Sequence, residues 1–482
     1  MAVFQNNLLA GAGAQSSDST HTIDQSIRFN DADNPALSKT FSGAGTEETW
    51  TFSCWIKLGV KTSNGRRMIF SAGSAGSNYG GAELGSTGDD SLEFYNYASS
   101  SYAWRLVTTQ QFRDHSAWYH LVFVSDTTNA VSTERARIYV NGQRVTDFST
   151  ASYPSLNYAN NFWMGTTEHD IGTSIFTTMN FDGYMAEIVN IDGTATDCNS
   201  FAEFNDSGIW VPKDVSGLTF GTNGFHIDGR DSADLGDDES GQGNDFSSSG
   251  LAAHDQVSDT PNNNFCVLNP ISSSGLAASG ELTGGNLAII GNIDYIDATV
   301  PFPTSGKWYY ELCMVSKTQS NWNAGNHYFR DIVDNFPDSN FTDYITTNFY
   351  HGSNFYSSSN WTDGDFWTNS NNPSAGDIYG FAWDSDNKKI WLAKNNTYFG
   401  SGNPAGNSGT PLGSGGTAGV EYVVTMYSST GQFMTLNFGQ DDTFNGAKTS
   451  GSAGAADGNG KGKFYYAPPT GFLSLCTKNL GS

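Results

Sequence analysis

Along most of this chain, apolar and polar side chains alternate with the two-residue period of a strand half buried in a sheet. In Thr49–Leu58 (TWTFSCWIKL) the alternation puts Trp50, Phe52, Cys54 and Ile56 on one face. Shorter runs lie at Met68–Ser71, Ser91–Tyr97 and Trp104–Thr109, and Phe181–Ile191 (FDGYMAEIVNI) closes this first series. Ala117–Ser125 (AWYHLVFVS) is apolar on both faces, which predicts a central strand. Arg137–Val145 (RIYVNGQRV) carries Asn141-Gly142 between flanking strands. That dipeptide accepts positive φ at both central turn positions, so a tight hairpin is expected. The pattern resumes at Lys307–Met314, Ile378–Trp383, Lys389–Lys394, Glu421–Tyr427 and Met434–Phe438. No segment sustains a period of 3.6, so the expected class is all-β, built from two antiparallel sandwiches.

Four segments follow from the pattern. Residues 1–25 are small and polar around Val3, Phe4, Leu8 and Leu9, and read either as a frayed terminus or as a docking segment for a larger assembly. Strand signals fill 26–212. Residues 213–283 turn rich in Asp, Asn, Ser and Gly with breaks at Pro261 and Pro270, the profile of a long connecting segment. Its apolar islands (Phe225, Ile227, Phe265, Val267, Leu268) predict that it packs along the domains. The second sandwich is expected in 284–482. A faint echo links the halves: Asp126 precedes Arg137-Ile138-Tyr139-Val140-Asn141-Gly142, and Asp384 precedes Lys389-Ile390-Trp391-Leu392-Ala393-Lys394-Asn395-Asn396.

Composition narrows the partners. Forty-nine acidic residues against 23 basic ones give a net charge of −26, which repels phosphate backbones and anionic membranes, so neither nucleic acid nor membrane insertion is expected. Hydrophobic content of 37% with 14% aromatics is enough for real cores. The five cysteines (Cys54, Cys198, Cys266, Cys313, Cys476) are scattered without a CxxC pair and read as buried thiols, as in a protein assembled in a reducing cytoplasm. Met1–Ala14 has no Lys or Arg and does not read as a secretory signal.

Particular motifs add a resemblance. Through Trp50–Gly59 (WTFSCWIKLG), Ala117–Asp126 (AWYHLVFVSD), Ile138–Gly142 (IYVNG) and Phe181–Ile188 (FDGYMAEI), the first half resembles laminin-G-like domains of the concanavalin A-like sandwich, or jelly-roll, kind. The second half is similar to SPRY domains through Gly306–Met314 (GKWYYELCM), Gly376–Asn396 (GDIYGFAWDSDNKKIWLAKNN) and Leu436–Gln440 (LNFGQ). SPRY domains usually end that hairpin in Asn-Gly; Asn395-Asn396 is a mild departure, because Asn tolerates the left-handed region. With MAVFQNNLLAGAGA, LGDDESGQGNDF and FYYAPPTGFLSLCTKNL added, the whole resembles bacteriophage structural or tail-fibre proteins. The resemblance implies a virion-surface protein that attaches to host glycans or a receptor. It also implies contacts to other virion proteins through the N-terminal segment, and a homo-oligomer, with a trimer expected from likeness to fibres. The alternatives are a capsid decoration or tail accessory protein with a purely structural role, and a polysaccharide depolymerase.

Catalysis is not expected. A glycosidase needs two facing carboxylates, and no strand carries an ExDxxE run; no His lies in a GxSxG-like context either. No cofactor is expected, with Ca²⁺ as the one candidate ion, on the acidic loop that holds Asp237, Asp238, Asn244 and Asp245. An ordinary acidic turn is the rival account of that loop. For binding, residues 321–367 are densest in aromatics interleaved with Asn, Ser, Asp and Gly, a mixture that suits the apolar faces and hydroxyls of sugars. The candidates there are Trp322, His327, Tyr328, Tyr350, His351, Trp361 and Trp367.

Overall fold

In the computed structural model the described residues are 21–60, 65–74, 78–86, 88–159, 162–175, 179–271, 280–317, 326–331, 344–348, 361–363, 373–428, 432–450 and 455–480. They are nearly all strand and loop, with one short α-helix at Thr477–Leu480. Two compact units form, one within Ala14–Asn262 and one within Asn263–Ser482.

The first unit is a sandwich of two antiparallel sheets. One runs in the order Gln143–Arg144, Ala136–Val140, Trp118–Asp126, Thr49–Leu58, Gly183–Asp192, Ser26–Phe29, Gln256–Val257, with Phe225–Ile227 also paired to Gly183–Asp192. The other runs Phe148–Ser152, Ser101–Gln111, Ser91–Ala98, Asn78–Leu84, Arg67–Ser74, Glu168–Ile171, Ala36–Thr40, Ser247–Ser249. Between them the alternating inward side chains make one core. Trp50, Phe52, Phe70, Phe94, Phe123 and Trp163 are all fully buried there.

Trp118–Asp126 is apolar on both faces because its sheet is covered twice. Leu121 and Phe123 point into the sandwich. Trp118, Val122 and Val124 point the other way, into a second cluster with Phe201, Trp210, Val215, Phe220 and Val257. The covering residues belong in part to the stretch expected as a connector, and here the structure corrects the sequence. Residues 213–262 supply three edge strands to this unit, and the division between units falls at 262/263, not near 283. Two ion pairs fasten the stretch from within: Lys57 Nζ meets Asp259 at 2.7 Å with both side chains fully buried, and Arg28 meets Asp255 at 3.3 Å. Trp118 Nε1 donates to the second oxygen of Asp259. Phe225 and Ile227 are buried as expected.

The second unit has a larger sheet in the order Gly280–Thr283, Ala288–Gly291, Gln432–Asn437, Lys307–Lys317, Ile378–Asp384, Lys389–Lys394, Gly413–Gly415, Trp361–Asp363, and a four-stranded one in the order Ile293–Asp297, Tyr422–Ser428, Asn326–Asp331, Tyr344–Asn348. The pairs on these paths are antiparallel; Leu473–Ser474 joins Lys307–Lys317 in parallel. Stacked rings fill the interior, Tyr310 on Phe381 and Phe329 on Tyr422.

Both anticipated hairpins form. Asn141 (φ 46°) and Gly142 (φ 80°) close one, and Asn395 (φ 48°) and Asn396 (φ 65°) close the other. In each, the first Asn is tied to a neighbouring strand through both its N–H and its side chain. Asn141 N donates to His120 O while His120 N donates to Asn141 Oδ1. Asn395 and Ile378 make the same exchange. The echo read in the sequence is therefore a shared turn device. At Gly142 a Cβ would lie 2.6 Å from the Trp210 ring, on a residue already at positive φ. Gly142→Ala is expected to cost about 2–4 kcal/mol, from left-handed strain plus overpacking, measured as a lowered denaturation midpoint of the first unit.

All five cysteines are buried and free, as anticipated. No helix among the described residues is long and apolar enough to cross a membrane.

Candidate functional site

One face of each sheet in the first unit is committed to the sandwich core. The back of the Thr49–Leu58 sheet is covered by its own loops, and on the outer face of the other sheet exposed and half-buried rings reach solvent. Alternation decides what stands there. In Ser91–Ala98, Leu92 and Phe94 point inward to the core, which turns Glu93, Tyr95 and Tyr97 outward. In Ser101–Gln111, Trp104 and Leu106 point inward, and Arg105 points outward. Cross-strand register places Tyr79 beside Tyr97, Gly81 beside Tyr95, Glu83 beside Glu93, and Tyr102 beside Tyr97.

The result is a closed set of four phenol rings. Tyr79 lies 4.9 Å from Tyr97 and 6.0 Å from Tyr95, and Tyr102 lies 5.3 Å from Tyr97 and 5.8 Å from Tyr95, centroid to centroid. Tyr102 is the exposed member at 44%, Tyr79 and Tyr97 are half-buried, and Tyr95 is buried. The Tyr95 hydroxyl has no hydrogen-bond partner among the described residues. Burial, reinforced by the charge of Glu83, holds its pKa well above the ordinary phenol value. Tyr102 is pushed up to about 12 by burial and by Glu93, so its phenol is a neutral donor at any physiological pH.

Two carboxylates stand on the same face, next along the strands, in direct cross-strand register, Glu83 opposite Glu93. Facing acids on adjacent strands are what a glycosidase would need. Here each is consumed by an arginine fork. Arg105 donates Nε to Glu93 Oε1 (2.6 Å) and Nη2 to Oε2 (2.8 Å), and Arg66 grips both oxygens of Glu83. The Arg105 guanidinium also lies over the Tyr102 ring at 4.4 Å. Burial raises the Glu83 pKa, and the Arg66 bonds pull against that rise. The hydrogen bonds that Arg105 donates to Glu93, partly opposed by desolvation, raise the Arg105 pKa. A carboxylate gripped by a bidentate arginine fork is fixed in place, so each pair stiffens the face.

Of the residues singled out from sequence, Trp322, Tyr350, His351 and Trp367 lie outside the described residues. His327 and Tyr328 fall on the strand Asn326–Asp331 of the four-stranded sheet, and Trp361 on Trp361–Asp363 of the larger one, so the backbone does not bring these three onto one sheet. On the acidic loop, Asp238 accepts the N–H groups of His226, Ser240 and Asn244, Asp245 accepts from Asp238 N, and Asn244 donates to Thr222 O and Gly224 O. Asp238 and Asp245 thus accept from backbone N–H groups of the same stretch, as in an Asx turn. No group of three or more His, Cys, Asp or Glu able to hold a metal occurs among the described residues. Sequence reasoning did not single out Tyr79, Tyr95, Tyr97 and Tyr102; the Glu93-x-Tyr95-x-Tyr97 spacing on a strand was the available signal. A groove of about 500 Å³ beside the Asn141-Gly142 hairpin also opens to solvent, but its polar lining holds no aromatic ring and its Arg144 is clamped by Glu134.

Residues 26–196 match the family model described as the concanavalin A-like lectin/glucanases superfamily, of the laminin-G type. The first unit thus contains a concanavalin A-like, lectin-like domain. Similar solved structures include a heptameric pentraxin from Limulus polyphemus, with 16% identity over 37% of this chain and 80% of that one, at a TM-score of 0.28. The SPRY domain of human HERC1 shares 16% identity over 35% of this chain and 96% of its own, at a TM-score of 0.26. A protein from Bacteroides ovatus described as a putative carbohydrate binding protein shares 18% identity over 48% and 58%, at 0.31. No curated protein matches the chain.

Proposed function

We propose that this protein is a non-enzymatic bacteriophage virion adhesin that binds host-surface glycans reversibly through the tyrosine face of its lectin-like domain. The observation that carries the binding is the four-ring cluster on the outer face of the sheet, open to solvent at Tyr102. Phenol rings stack on the apolar faces of sugar rings and offer a hydroxyl at the edge. The virion assignment rests on the likeness of the chain's opening, middle and end to phage structural proteins. Its two carboxylates clamped by arginine favour binding over cleavage. One such site would be weak, and many copies on a particle gain about 10²–10⁴ in avidity.

The test is binding of the purified chain to host-surface polysaccharides, with release of reducing ends measured alongside. Binding without release is expected, and Tyr102→Ala should weaken it about tenfold while the chain still folds, with at most a small drop in melting temperature from the lost ring contacts. Release of reducing ends would indicate a depolymerase instead. A chain that decorates the virion and binds no polysaccharide would have the purely structural role.

A further inference from the structure

Which sugars the face accepts follows from its charges and from the shape of its rim. Every positive charge described on it is neutralised in place, Arg105 by Glu93 and Arg66 by Glu83. The other charged side chains that alternation turns outward on this sheet are acidic: Glu168, and Asp170, which accepts from Ser38 Oγ. Around them the whole chain carries −26. A glycan bearing carboxylate, sulfate or phosphate would find no uncompensated cation here and would enter a repulsive field.

Neutral donors and acceptors are supplied instead. The hairpin joining Ser91–Ala98 to Ser101–Gln111 is a two-residue turn whose central residues, Ser99 (φ 51°) and Ser100 (φ 65°), are both left-handed. Asn and Gly are the residues that take this turn at least cost. The strained serine pair is braced by Ser99 N donating to Asn78 Oδ1 and by Ser101 Oγ donating to Ala98 O. It sets the exposed hydroxyls of Ser99 and Ser100 one residue pair beyond the Tyr97–Tyr102 pair, and the buried Tyr95 hydroxyl has no partner among the described residues. Strain kept at an exposed tip where easier residues exist points to a role for the side chains themselves.

We propose that this end of the sheet takes a neutral pyranoside. Its ring face lies on the exposed Tyr102 with the perpendicular Tyr97 ring at its side, its hydroxyls meet the Ser99–Ser100 tip, and uronate- or sulfate-bearing glycans are turned away. The proposal rests on the glycan-adhesion reading and specifies its ligand. The test measures binding of the full chain, in about 0.15 M salt where the field reaches roughly 8 Å, to two neutral polysaccharides (dextran and mannan) and two anionic ones (alginate and carrageenan). The Ser99→Asn/Ser100→Gly double variant is measured in parallel. Binding to a neutral polymer alone is expected, and the double variant should melt a few degrees higher yet bind about tenfold more weakly, a gain in turn stability at the expense of the site. Stronger binding to the anionic polymers would overturn the neutral assignment and leave glycan adhesion standing. Neutral binding that ignores both the double variant and Tyr102→Ala would place the site elsewhere and overturn the proposal. No binding to any of the four would remove the proposal and count against adhesion as well.

Discussion

Between pH 7 and pH 4 the first unit is expected to lose its fold, driven by three buried histidines. His120 and His169 are each used as acceptors by groups that can only donate. Trp210 Nε1 donates to His120 Nδ1 at 3.0 Å, so the proton of neutral His120 sits on Nε2, toward Ser53 Oγ. Met164 N donates to His169 Nε2 at 3.0 Å, leaving Nδ1 to donate to the Thr167 carbonyl. Protonating either ring would set two N–H groups against each other in a dry interior. Burial accordingly depresses His120 to about 3 and His169 to about 4, and His115, buried beside Arg67, to about 4.

Each of these groups gains its proton in the unfolded chain first. The stability they contribute is therefore complete above pH 6.5 and is lost as pH falls from 6.5 toward 4. At 1.36 kcal/mol per unit, the loss by pH 4 is about 3 kcal/mol for each ring, or roughly 10 together, comparable to a whole domain's stability. Other groups work the other way: Asp170, pushed up to about 6 by burial, and Glu83, also raised by burial, take up their protons in the folded state first, and so does a histidine cluster. Glu187, at a bulge with φ 47°, holds His226 at 3.1 Å and His21 at 3.8 Å. Its hydrogen bond raises the His21 pKa, and for His226 the same carboxylate outweighs a larger desolvation, so both favour the folded state below pH 6.5. These groups offset part of the loss, and the three histidines driven down to about 3–4 outweigh them, so net destabilisation is expected. Tryptophan fluorescence reads the change directly, since Trp55 stacks on His120 and Trp163 lies 4.9 Å from His169. A denaturation midpoint of the first unit that stays flat from pH 6.5 to 4.5 would sink this account.

What the sequence made legible was local. Two-residue alternation located the principal strands, and Asn141-Gly142 and Asn395-Asn396 announced their turns because positive φ is a property of those residues. Residues 213–262 were misread for a physical reason. Their strands, Phe225–Ile227, Ser247–Ser249 and Gln256–Val257, are two or three residues long. That is too short for any period to show. The fastenings that hold them, Lys57–Asp259 and Arg28–Asp255, join residues more than 200 positions apart. The tyrosine face was hidden in the same way: its members are spread over three strands, and only register makes them neighbours. The aromatic density of 321–367 was legible as composition, yet composition does not say which rings share a surface.

The second unit should respond to acid in the opposite sense, through Glu311. Its fully buried carboxylate accepts four bonds: Oε1 takes Tyr466 N–H and the Tyr309 hydroxyl, and Oε2 takes Tyr465 N–H and Asn437 Nδ2. These donors come from one strand of the larger sheet, from its own strand and from the C-terminal loop, so this single side chain ties the loop down. Burial pushes its pKa up to about 7, against the pull of those bonds. An acid raised in the folded state contributes stability that is full below about 4.5 and declines as pH rises through 7, by up to about 3 kcal/mol. Glu311→Ala would strand four buried donors at roughly 1–3 kcal/mol each, at least about 4 kcal/mol in all. Glu311→Gln keeps one carbonyl oxygen, can serve two donors, and presents its own N–H to the other two. Its cost should fall between the wild-type chain and Ala, and its stability should no longer vary with pH between 5 and 8. Hydrogen exchange across 463–474 isolates this unit's response, because the loop is what the carboxylate holds. Equal protection there in wild type and Glu311→Ala would show that the loop is held by its ring packing, through Phe464 on Tyr309, and not by the buried charge.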